Sequence, residues 1–374
     1  MPEIKLEAWK YELRLNEPFK IAFHTFTHLQ NVLVKLKYGS YDGWGEAAPF
    51  PQVTGDSQHQ VLDELSKLDH ISLDPETSSI SNLHRFLDDH LSAPTARTAL
   101  DFAWHDLTGK IKNLPVHKLY HQKLHTAPES YTLGIKTPPE SGAEAKKVAH
   151  LYPQLEVLKI KLAGDEQDIE RAEHIRAALP RDMRFMIDAN QGFADPAEAV
   201  RILQRIGDIL GSVILVEEPL SKGDLDGMRE VTSGLSNMLV FADESAVDLA
   251  DTHRIIETKA ADGINIKLQK AGGIYPGKKM AEAADAAGLK VMVGCMLESS
   301  LAITAGVHFT SCSPNVVVTD LSADLLAASP AGTCAEFRNG KRIPPDLPGL
   351  GFTFDQQKLN EMMQHDDLIM EQVS

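Results

Sequence analysis

Five charged residues recur at an even spacing along the middle of the chain, and each stands at the end of a short hydrophobic run. Their order is one lysine, three acids and a second lysine: Lys161, Asp188, Glu217, Asp243 and Lys267, which lie 27, 29, 26 and 24 residues apart. A barrel of eight strand-and-helix units uses roughly 30 residues per unit and carries its chemistry at the C-terminal ends of its strands. The spacing therefore predicts that these five groups meet at one end of such a barrel.

Three neighbouring carboxylates repel one another unless a cation neutralises them. An all-oxygen ligand set suits Mg²⁺, which takes few carboxylates and keeps positions for water and substrate oxygens. We therefore predict that Asp188, Glu217 and Asp243 bind Mg²⁺. A substrate carboxylate bound to that metal would have an acidified α-proton.

The two lysines belong to the second and sixth predicted strands, and strands four apart lie opposite each other in a closed barrel of eight. Lys161 and Lys267 should thus face each other across the axis, with pKa values lowered by the cation and by each other. One lysine on each face of an enediolate permits removal of the α-proton from one side and its return from the other. This arrangement is that of a racemase or an epimerase.

Strand geometry adds neighbours to the site, because side chains two apart on a strand share a face. Lys159 therefore points the same way as Lys161, and Asn190 the same way as Asp188 if the extended conformation continues. The same alternation selects Lys267 as the lysine of its strand that faces the site. Three residues are predicted to turn away from it: Glu218, Glu244 and Lys270.

From about residue 129 the chain alternates β-branched runs with amphipathic stretches, a pattern typical of an α/β fold with a parallel sheet. We predict eight strands, which together predict a (β/α)8-type barrel: Ser130–Ile135, Glu156–Leu162, Arg184–Asp188, Ser212–Glu217, Met238–Asp243, Gly263–Leu268, Leu289–Val293 and Asn315–Thr319. Helices are predicted between them at Asp165–Leu179, Pro196–Gly207, Asp248–Lys259 and Pro276–Ala287.

The first 125 residues predict a separate α+β layer. Its predicted strands are Ile4–Leu15 and Val32–Tyr38, and its predicted helices are Gln58–Leu68, Leu83–Leu91 and Pro94–Lys112. The Pro- and Gly-rich stretch 344–351 predicts that the chain leaves the barrel there and packs on this layer. We thus expect an α+β layer at residues 1–125, the barrel at 126–332, and a C-terminal segment at 333–374 that returns to the α+β layer.

Composition excludes several classes of partner. A formal net charge of -16 argues against nucleic-acid binding, which needs a positive surface. No apolar run approaches the ~20 residues that span a bilayer, and the N-terminus lacks the basic start and apolar core of a secretory signal, so a cytoplasmic location without a membrane partner is expected. The three cysteines, Cys295, Cys312 and Cys334, lack the spacing of a zinc site or a disulfide framework.

Five motifs are specific when taken together: Lys159-Ile-Lys161, Asp188-Ala-Asn-Gln-Gly192, Glu217-Glu-Pro219, Ala242-Asp-Glu-Ser245 and Asn265-Ile-Lys-Leu-Gln-Lys-Ala-Gly-Gly-Ile274. With them the chain resembles the enolase superfamily, muconate-lactonizing enzyme subgroup, over nearly its whole length. Enzymes of that superfamily are known to use a lysine or histidine base with Mg²⁺ stabilising an enediolate. The resemblance implies a modified TIM barrel under a capping domain and one Mg²⁺ per subunit.

The resemblance also implies a role for each matching residue. Asp188, Glu217 and Asp243 would be the Mg²⁺ ligands, with Asn190 behind them. Lys161 and Lys267 would be the acid/base pair, and Lys159 would be an auxiliary cation near the enolate.

Three further stretches make the chain most similar to dipeptide epimerases: Pro18-Phe-Lys-Ile-Ala22, Gly43-Trp-Gly-Glu-Ala-Ala-Pro49 and Val293-Gly-Cys-Met-Leu-Glu-Ser-Ser300. Such enzymes invert the α-carbon of the C-terminal residue of a dipeptide, for example L-Ala-L-Glu. The resemblance implies a small-molecule substrate, either a dipeptide or an N-acyl amino acid, and a homo-oligomer, since barrels of this type commonly assemble.

The chain departs from this family where substrate is chosen. The Asp-x-Asp element that holds the α-ammonium group reads Asp320-Leu-Ser322 here, followed by Asp324, and the capping loop that can carry an arginine for acidic side chains reads Phe23 to His28. Four residues are therefore candidates for substrate binding: His24, Glu298, Asp320 and Ser322. Glu298 could instead cap a helix, and His24 and His28 could instead be exposed.

Other reactions stay open on the same scaffold: N-succinylamino acid racemisation, o-succinylbenzoate synthesis and muconate cycloisomerisation. A Schiff-base aldolase would also place a lysine at a strand end, but the three carboxylates argue against it. A non-catalytic barrel would have no need for five charged groups at five successive strand ends.

Overall fold

The computed structural model describes residues 3–21, 24–68, 70–120, 123–326, 332, 335–355, 357, 359 and 368–371, with the backbone alone at residues 13 and 368–371. The chain begins with a capping layer. Its antiparallel strands are β1 (Lys5–Lys20), β2 (Thr25–Tyr38) and β3 (Tyr41–Ala47), and its helices are α1 (Gln58–Ser66), α2 (Ile80–His90) and α3 (Pro94–Ile111). Capping boxes at Ser57 and Ser79 start α1 and α2, and Pro94 starts α3, where a missing N–H costs nothing.

An eight-stranded parallel sheet follows. Its strands are β4 (Ser130–Leu133), β5 (Val157–Lys161), β6 (Arg184–Asp188), β7 (Val213–Glu217), β8 (Leu239–Ala242), β9 (Gly263–Lys267), β10 (Lys290–Gly294) and β11 (Val316–Asp320), paired in chain order. Glu129 bridges Thr319, and the Thr319 N–H donates to the carbonyl oxygen of Pro128 at 2.9 Å, which brings the first and last strands together. The predicted barrel and its eight strands are confirmed.

Helices surround the barrel and alternate with its strands. They are α4 (Pro138–Leu151), α5 (Gln167–Ala178), α6 (Pro196–Leu210), α7 (Leu225–Gly234), α8 (Leu249–Thr258), α9 (Leu268–Ala271), α10 (Ile274–Ala286) and α11 (Ser300–Ser311). Helix α6 illustrates why these helices pack on the barrel. Its buried residues recur at helical spacing and form one apolar face: Ala199, Ile202, Leu203 and Ile206. Within the described residues, no helix has the length and apolar character needed to cross a membrane.

The C-terminal segment returns to the capping layer where the structure describes it. Strands β12 (Glu336–Arg338) and β13 (Lys341–Ile343) form a small sheet of their own, and β14 (Leu368–Glu371) pairs with β1. The N–H of Leu350 donates to Asp106 Oδ1 of α3 at 2.8 Å. The domain boundaries at residues 125 and 332 stay predictions.

Two local predictions for the capping layer were incomplete. Strand β3 was not predicted, because Gly43 and Gly45 interrupt the alternation of apolar and polar residues that identifies a strand. The interpretation of residues 23–28 as a loop was wrong from Thr25 onward, since these residues open β2 and Phe26 pairs with Phe19 of β1. Phe23 itself lies outside the described residues.

Close contact between β3 and α3 generates a stability prediction. A Cβ at Gly45 would lie 1.9 Å from the carbonyl oxygen of Ala99, whereas a Cβ at Gly288, on a surface turn, would meet no atom within 4 Å. Gly45→Ala should lower the free energy of unfolding by about 3 kcal/mol or more through overpacking, because the atoms that the new Cβ would meet are backbone. Gly288→Ala is the control and should lower it by about 1 kcal/mol, because its φ is +78°. Denaturant unfolding of both variants measures the difference, and an equal loss in both would contradict the prediction.

Candidate active site

Strand alternation divides the barrel interior into two layers. The lower layer is an apolar plug of six buried side chains: Val157, Met186, Leu215, Phe241, Met292 and Val318. Two residues further along five of the same strands stand charged side chains at the C-terminal end: Lys159, Asp188, Glu217, Asp243 and Asp320. Because successive side chains of a strand alternate between its two faces, a spacing of two places the charged ring directly above the plug.

Lys161 is held in place by the neighbouring strand. Its Nζ donates to Asp188 Oδ2 at 2.7 Å and to Asn190 Oδ1 at 2.9 Å. Asn190 does not continue the strand as predicted but adopts a φ of +44°, and its own N–H donates to Asp188 Oδ1 at 3.0 Å. This left-handed turn, which asparagine tolerates better than most residues, is what brings the Asn190 amide to the lysine.

Lys267 has a carboxylate partner on the strand before it. Its Nζ lies 2.6 Å from Asp243 Oδ2, and Lys270 Nζ lies 2.6 Å from Asp243 Oδ1. Burial lowers the pKa of Lys267, but the charges of Asp243, Glu244 and Glu217 together raise it more, so the net direction is upward. The predicted lowering of this pKa by a bound cation stays a prediction.

Lys159 lies among three acids. Its Nζ is 3.0 Å from Asp188 Oδ2, 2.8 Å from Glu217 Oε1 and 2.9 Å from Asp320 Oδ2. Only 1% of the residue is exposed. Burial alone would lower its pKa, but the surrounding carboxylates, Asp188 first, raise the pKa well above the usual lysine value. Lys159 is therefore a fixed positive charge at the centre of the ring.

The three predicted metal ligands are buried at adjacent strand ends. Burial raises the pKa of Glu217 to about 7, more than Lys159 lowers it, whereas the neighbouring lysines overcome burial and hold the pKa values of Asp188 and Asp243 below their usual range. Within the described ranges, no three acidic, histidine or cysteine side chains stand in the arrangement of a metal site. Lysine ammonium groups are the cations in contact with these carboxylates.

The donor set nevertheless fits a hard cation. All six side-chain donors are carboxylate oxygens, the chemistry that Mg²⁺ prefers. Oε2 of Glu217 accepts a hydrogen bond from Asn265 Nδ2 at 2.9 Å, but its buried Oε1 receives none, because the approach of Lys159 lacks hydrogen-bond geometry. A buried carboxylate oxygen with a free lone pair costs stability unless a further partner binds it.

A cavity of about 520 Å³ lies between this ring and the capping layer. Its floor contains both predicted catalytic lysines, Lys161 and Lys267, together with Lys159 and Asn190. Its roof comes from the β1–β2 hairpin and from residues 48–53. The predicted acid/base lysines thus reach one cavity from strands that are second and sixth in the barrel.

His24 and His28 line the roof of this cavity. The His24 ring lies 4.4 Å from the ring of Phe26 and 5.5 Å from that of Phe50, measured between centroids. His28 Nδ1 is 3.0 Å from the Thr27 hydroxyl. Both histidines therefore lie where they could contact a bound molecule.

The remaining candidates for substrate binding differ in accessibility. Asp320 and Ser322 line the cavity, but Asp320 Oδ1 already accepts from Thr132 Oγ1 at 2.7 Å and its Oδ2 faces Lys159. Asp324 is held by Arg342 at 2.6 Å. Glu298 is not among the cavity-lining residues; it accepts the N–H of Met296 at 2.7 Å, and burial raises its pKa to about 8.

Sequence reasoning missed two acids of this region. Glu244 was predicted to turn away, yet it lines the cavity with an Oε2 that has no hydrogen-bond partner, and burial raises its pKa to about 7. Alternation fails for it because β8 ends at Ala242. Glu218 does turn away, and accepts the N–H of Asp243 at 2.7 Å.

Glu46 is the second missed acid, and it fastens the capping layer to the barrel. Its buried carboxylate accepts from Asn31 Nδ2 at 2.7 Å, from the Ser299 N–H at 2.9 Å and from the Tyr11 hydroxyl. Its carbonyl oxygen accepts from Gln269 Nε2 at 3.1 Å. Its place in the motif Gly43-Trp-Gly-Glu46 was the available signal.

Comparison with known proteins places this geometry in a family. Residues 4–120 match the model of the mandelate racemase / muconate lactonizing enzyme N-terminal domain, and residues 141–358 match that of the enolase C-terminal domain-like family. The L-Ala-D/L-Glu epimerase of Bacillus subtilis is 33% identical over 94% of this chain and 96% of its own length.

Solved structures agree with this match. The N-succinyl Arg/Lys racemase from Bacillus cereus superposes with a TM-score of 0.90 at 28% identity, over 97% of this chain and 98% of its own. A dipeptide epimerase from Enterococcus faecalis, complexed with Mg and L-Leu-L-Tyr, superposes with a TM-score of 0.87 at 31% identity, over 94% of this chain and 100% of its own. These relatives are racemases and epimerases, hence isomerases, as the resemblance implied. The chain belongs to the mandelate racemase and muconate lactonizing enzyme family of the enolase superfamily.

Proposed function

We propose that this protein is an isomerase that inverts the α-carbon of the C-terminal residue of a dipeptide by 1,1-proton transfer between two lysines. The observation that carries the proposal is that Lys161 and Lys267 line one cavity from strands four apart in an eight-stranded barrel. An α-carbon between them would present one face to each amine. One lysine would accept the α-proton, and the other would deliver a proton to the opposite face.

The residues around each amine support these roles. Asp188 and Asn190 fix the Lys161 ammonium group, and Asp243 fixes that of Lys267, so that neither side chain needs to be ordered when substrate binds. Lys159 would place a permanent positive charge beside the substrate carboxylate. The capping layer would exclude bulk water from the α-carbon.

We further propose that Asp188, Glu217 and Asp243 hold one Mg²⁺ per subunit. Their positions at the ends of three neighbouring strands support this assignment, as does Oε1 of Glu217, which faces the charge of Lys159 but receives no hydrogen bond. Bound there, Mg²⁺ would supply positive charge to the substrate carboxylate and so lower the pKa of the adjacent C–H group. Assembly into a homo-oligomer and a cytoplasmic location stay predictions.

A second candidate function has its own supporting observation. A free substrate ammonium group would need an anionic partner, but Asp320 is shared with Lys159 and Thr132, and Asp324 is bound to Arg342. Ser322 could instead donate a hydrogen bond to an acyl carbonyl oxygen. This observation favours an N-acylated amino acid, the kind of substrate in the name of the Bacillus cereus racemase.

Exchange of the α-proton in D₂O separates the two candidates. The protein is incubated with a library of L,L- and L,D-dipeptides and with a matched library of N-succinylamino acids, and mass spectrometry follows deuterium incorporation. Exchange confined to dipeptides supports the first proposal. Exchange confined to N-succinylamino acids would replace it with the second, and exchange in neither library would refute both.

Replacing one lysine should remove one direction of proton transfer. Lys161→Ala should lower α-proton exchange by about 100-fold or more with one epimer of the substrate and retain exchange with the other, and Lys267→Ala should show the opposite preference. NMR in D₂O with each pure epimer measures this. Lys112→Ala, at an exposed position, is the control. Exchange with both epimers in either site variant would contradict the two-lysine assignment.

Removal of divalent cations should abolish exchange, and Mg²⁺ should restore it. Calorimetric titration of Mg²⁺ into the cation-free protein should show about one site per chain. Binding of Mg²⁺ to the folded state should also raise the midpoint of thermal unfolding. Asp243→Asn and Glu217→Gln should weaken binding, whereas Glu230→Gln on the exposed face of α7 should not. Unchanged Mg²⁺ affinity in both ligand variants would contradict this site.

A further inference from the structure

The roof of the cavity combines an apolar part, which we define as the roof wall, with two histidines and with uncharged polar side chains: Thr25, Thr27, Gln30, Asn31 and Gln52. The members of the roof wall come from β1, β2, the turn after β3 and the end of the barrel: Phe19, Ile21, Phe26, Phe50, Val53 and Leu326. Phe26 and Phe50 meet edge to face with ring centroids 4.9 Å apart, and His24 packs on both rings. The wall is thus an apolar surface in which the rings of Phe26 and Phe50 pack against each other.

Charge is absent from this wall but abundant on the floor. Among the described cavity-lining residues, the acidic and lysine side chains are Lys159, Lys161, Glu244, Lys267 and Asp320, and all of them lie in a barrel strand or within two residues after one. The described part of the roof contributes only His24 and His28 as ionisable groups, and residues 22 and 23, outside that part, are Ala and Phe in sequence. A carboxylate or ammonium group pressed against the roof wall would lose water without gaining an opposite charge, which is costly.

The polarity of the two regions orients a bound substrate. A residue whose α-carbon lies between Lys161 and Lys267 extends in two further directions, along its α-nitrogen and along its side chain. Thr132 and Asp320 lie on the adjacent strands β4 and β11, and Ser322 follows β11, so these hydrogen-bonding groups stand at neighbouring strand ends of the floor, whereas the roof wall offers apolar surface. Matching polar to polar assigns the α-nitrogen to the first group and the side chain to the wall.

We propose that the residue inverted by this enzyme carries an aromatic or large aliphatic side chain, and that Phe26 and Phe50 select it. This inference rests on the proposed function, because it takes the α-carbon to lie between the two lysines. It holds equally for a dipeptide and for an N-acyl amino acid. Burial of an apolar side chain against aromatic rings releases ordered water at no cost in unpaired charge.

The first test compares substrates with one fixed N-terminal residue. For L-Ala-L-Phe and L-Ala-L-Leu, kcat/KM should exceed that for L-Ala-L-Glu and L-Ala-L-Lys by roughly tenfold or more, in the range by which apolar pockets discriminate. The corresponding N-succinylamino acids form a second series. An equal or higher kcat/KM for the Glu or Lys member of the active series would overturn the inference.

The second test changes the wall. Phe50→Ala and Phe26→Ala should each lower the ratio of kcat/KM for L-Ala-L-Phe over L-Ala-L-Ala by roughly tenfold. Phe86→Ala removes another half-buried phenylalanine of the capping layer, one packed on His90 and away from the cavity, and should leave the ratio unchanged. His24→Arg should raise kcat/KM for L-Ala-L-Glu by roughly tenfold, because the guanidinium group would place a positive charge beside the wall, where it could pair with the glutamate side chain.

These outcomes separate failure of the inference from failure of the proposed function. If no member of the dipeptide and N-succinylamino acid libraries exchanges its α-proton, the proposed function fails, and the inference that rests on it fails with it. If exchange occurs but Phe26→Ala, Phe50→Ala and Phe86→Ala alter the ratio equally, the function stands and the assignment of the wall is wrong. Phe26 is half-buried at the edge of a hairpin, so its variant remains informative even if Phe50→Ala does not fold.

Discussion

The structure depends on one constraint, which is that the charged side chains buried inside the barrel must neutralise one another. Lys159 is buried with Asp188, Glu217 and Asp320 around it, and none of these charges could be tolerated at that depth alone. Removing one member would leave the others uncompensated. The ring is therefore a single electrostatic unit, and its arrangement fixes where the ammonium groups of Lys161 and Lys267 can lie.

The capping layer closes this unit from above and is itself tied to it. Glu46 receives hydrogen bonds from the capping layer through Asn31 and from the barrel through Ser299 and Gln269. The same barrel loop contributes Cys295, Met296 and Leu297 to the cavity. The hydrogen bonds of Glu46 therefore fix the position of the capping layer on the barrel. The same contacts set the shape of the cavity, because they hold its roof at one position relative to its floor.

Much of the fold and of the cavity floor could be predicted from the periodic spacing of apolar and charged residues in the sequence. Parallel strands buried on both faces read as continuous apolar runs, and a period of two places Asp188, Glu217 and Asp243 on the inward face, so these positions could be predicted. The failures have local causes. Asn190 leaves the strand in a left-handed turn, and Glu244 follows a strand that stops early, and neither event has a periodic signature. The roof depends on tertiary packing between hairpin and barrel, which no local pattern encodes.

The apolar plug beneath the ring limits the route by which hydrogen isotopes exchange between the lysine amines and solvent. Because six packed apolar side chains fill the lower end of the barrel, water reaches the lysine amines from the side of the capping layer. Under the proposed two-lysine reaction, a proton removed by one lysine could leave that amine only toward the cavity. The opposite lysine would supply the α-hydrogen of the product, so the original label would survive only in substrate that is re-formed, and its amount would report how slowly the amine exchanges hydrogen with solvent.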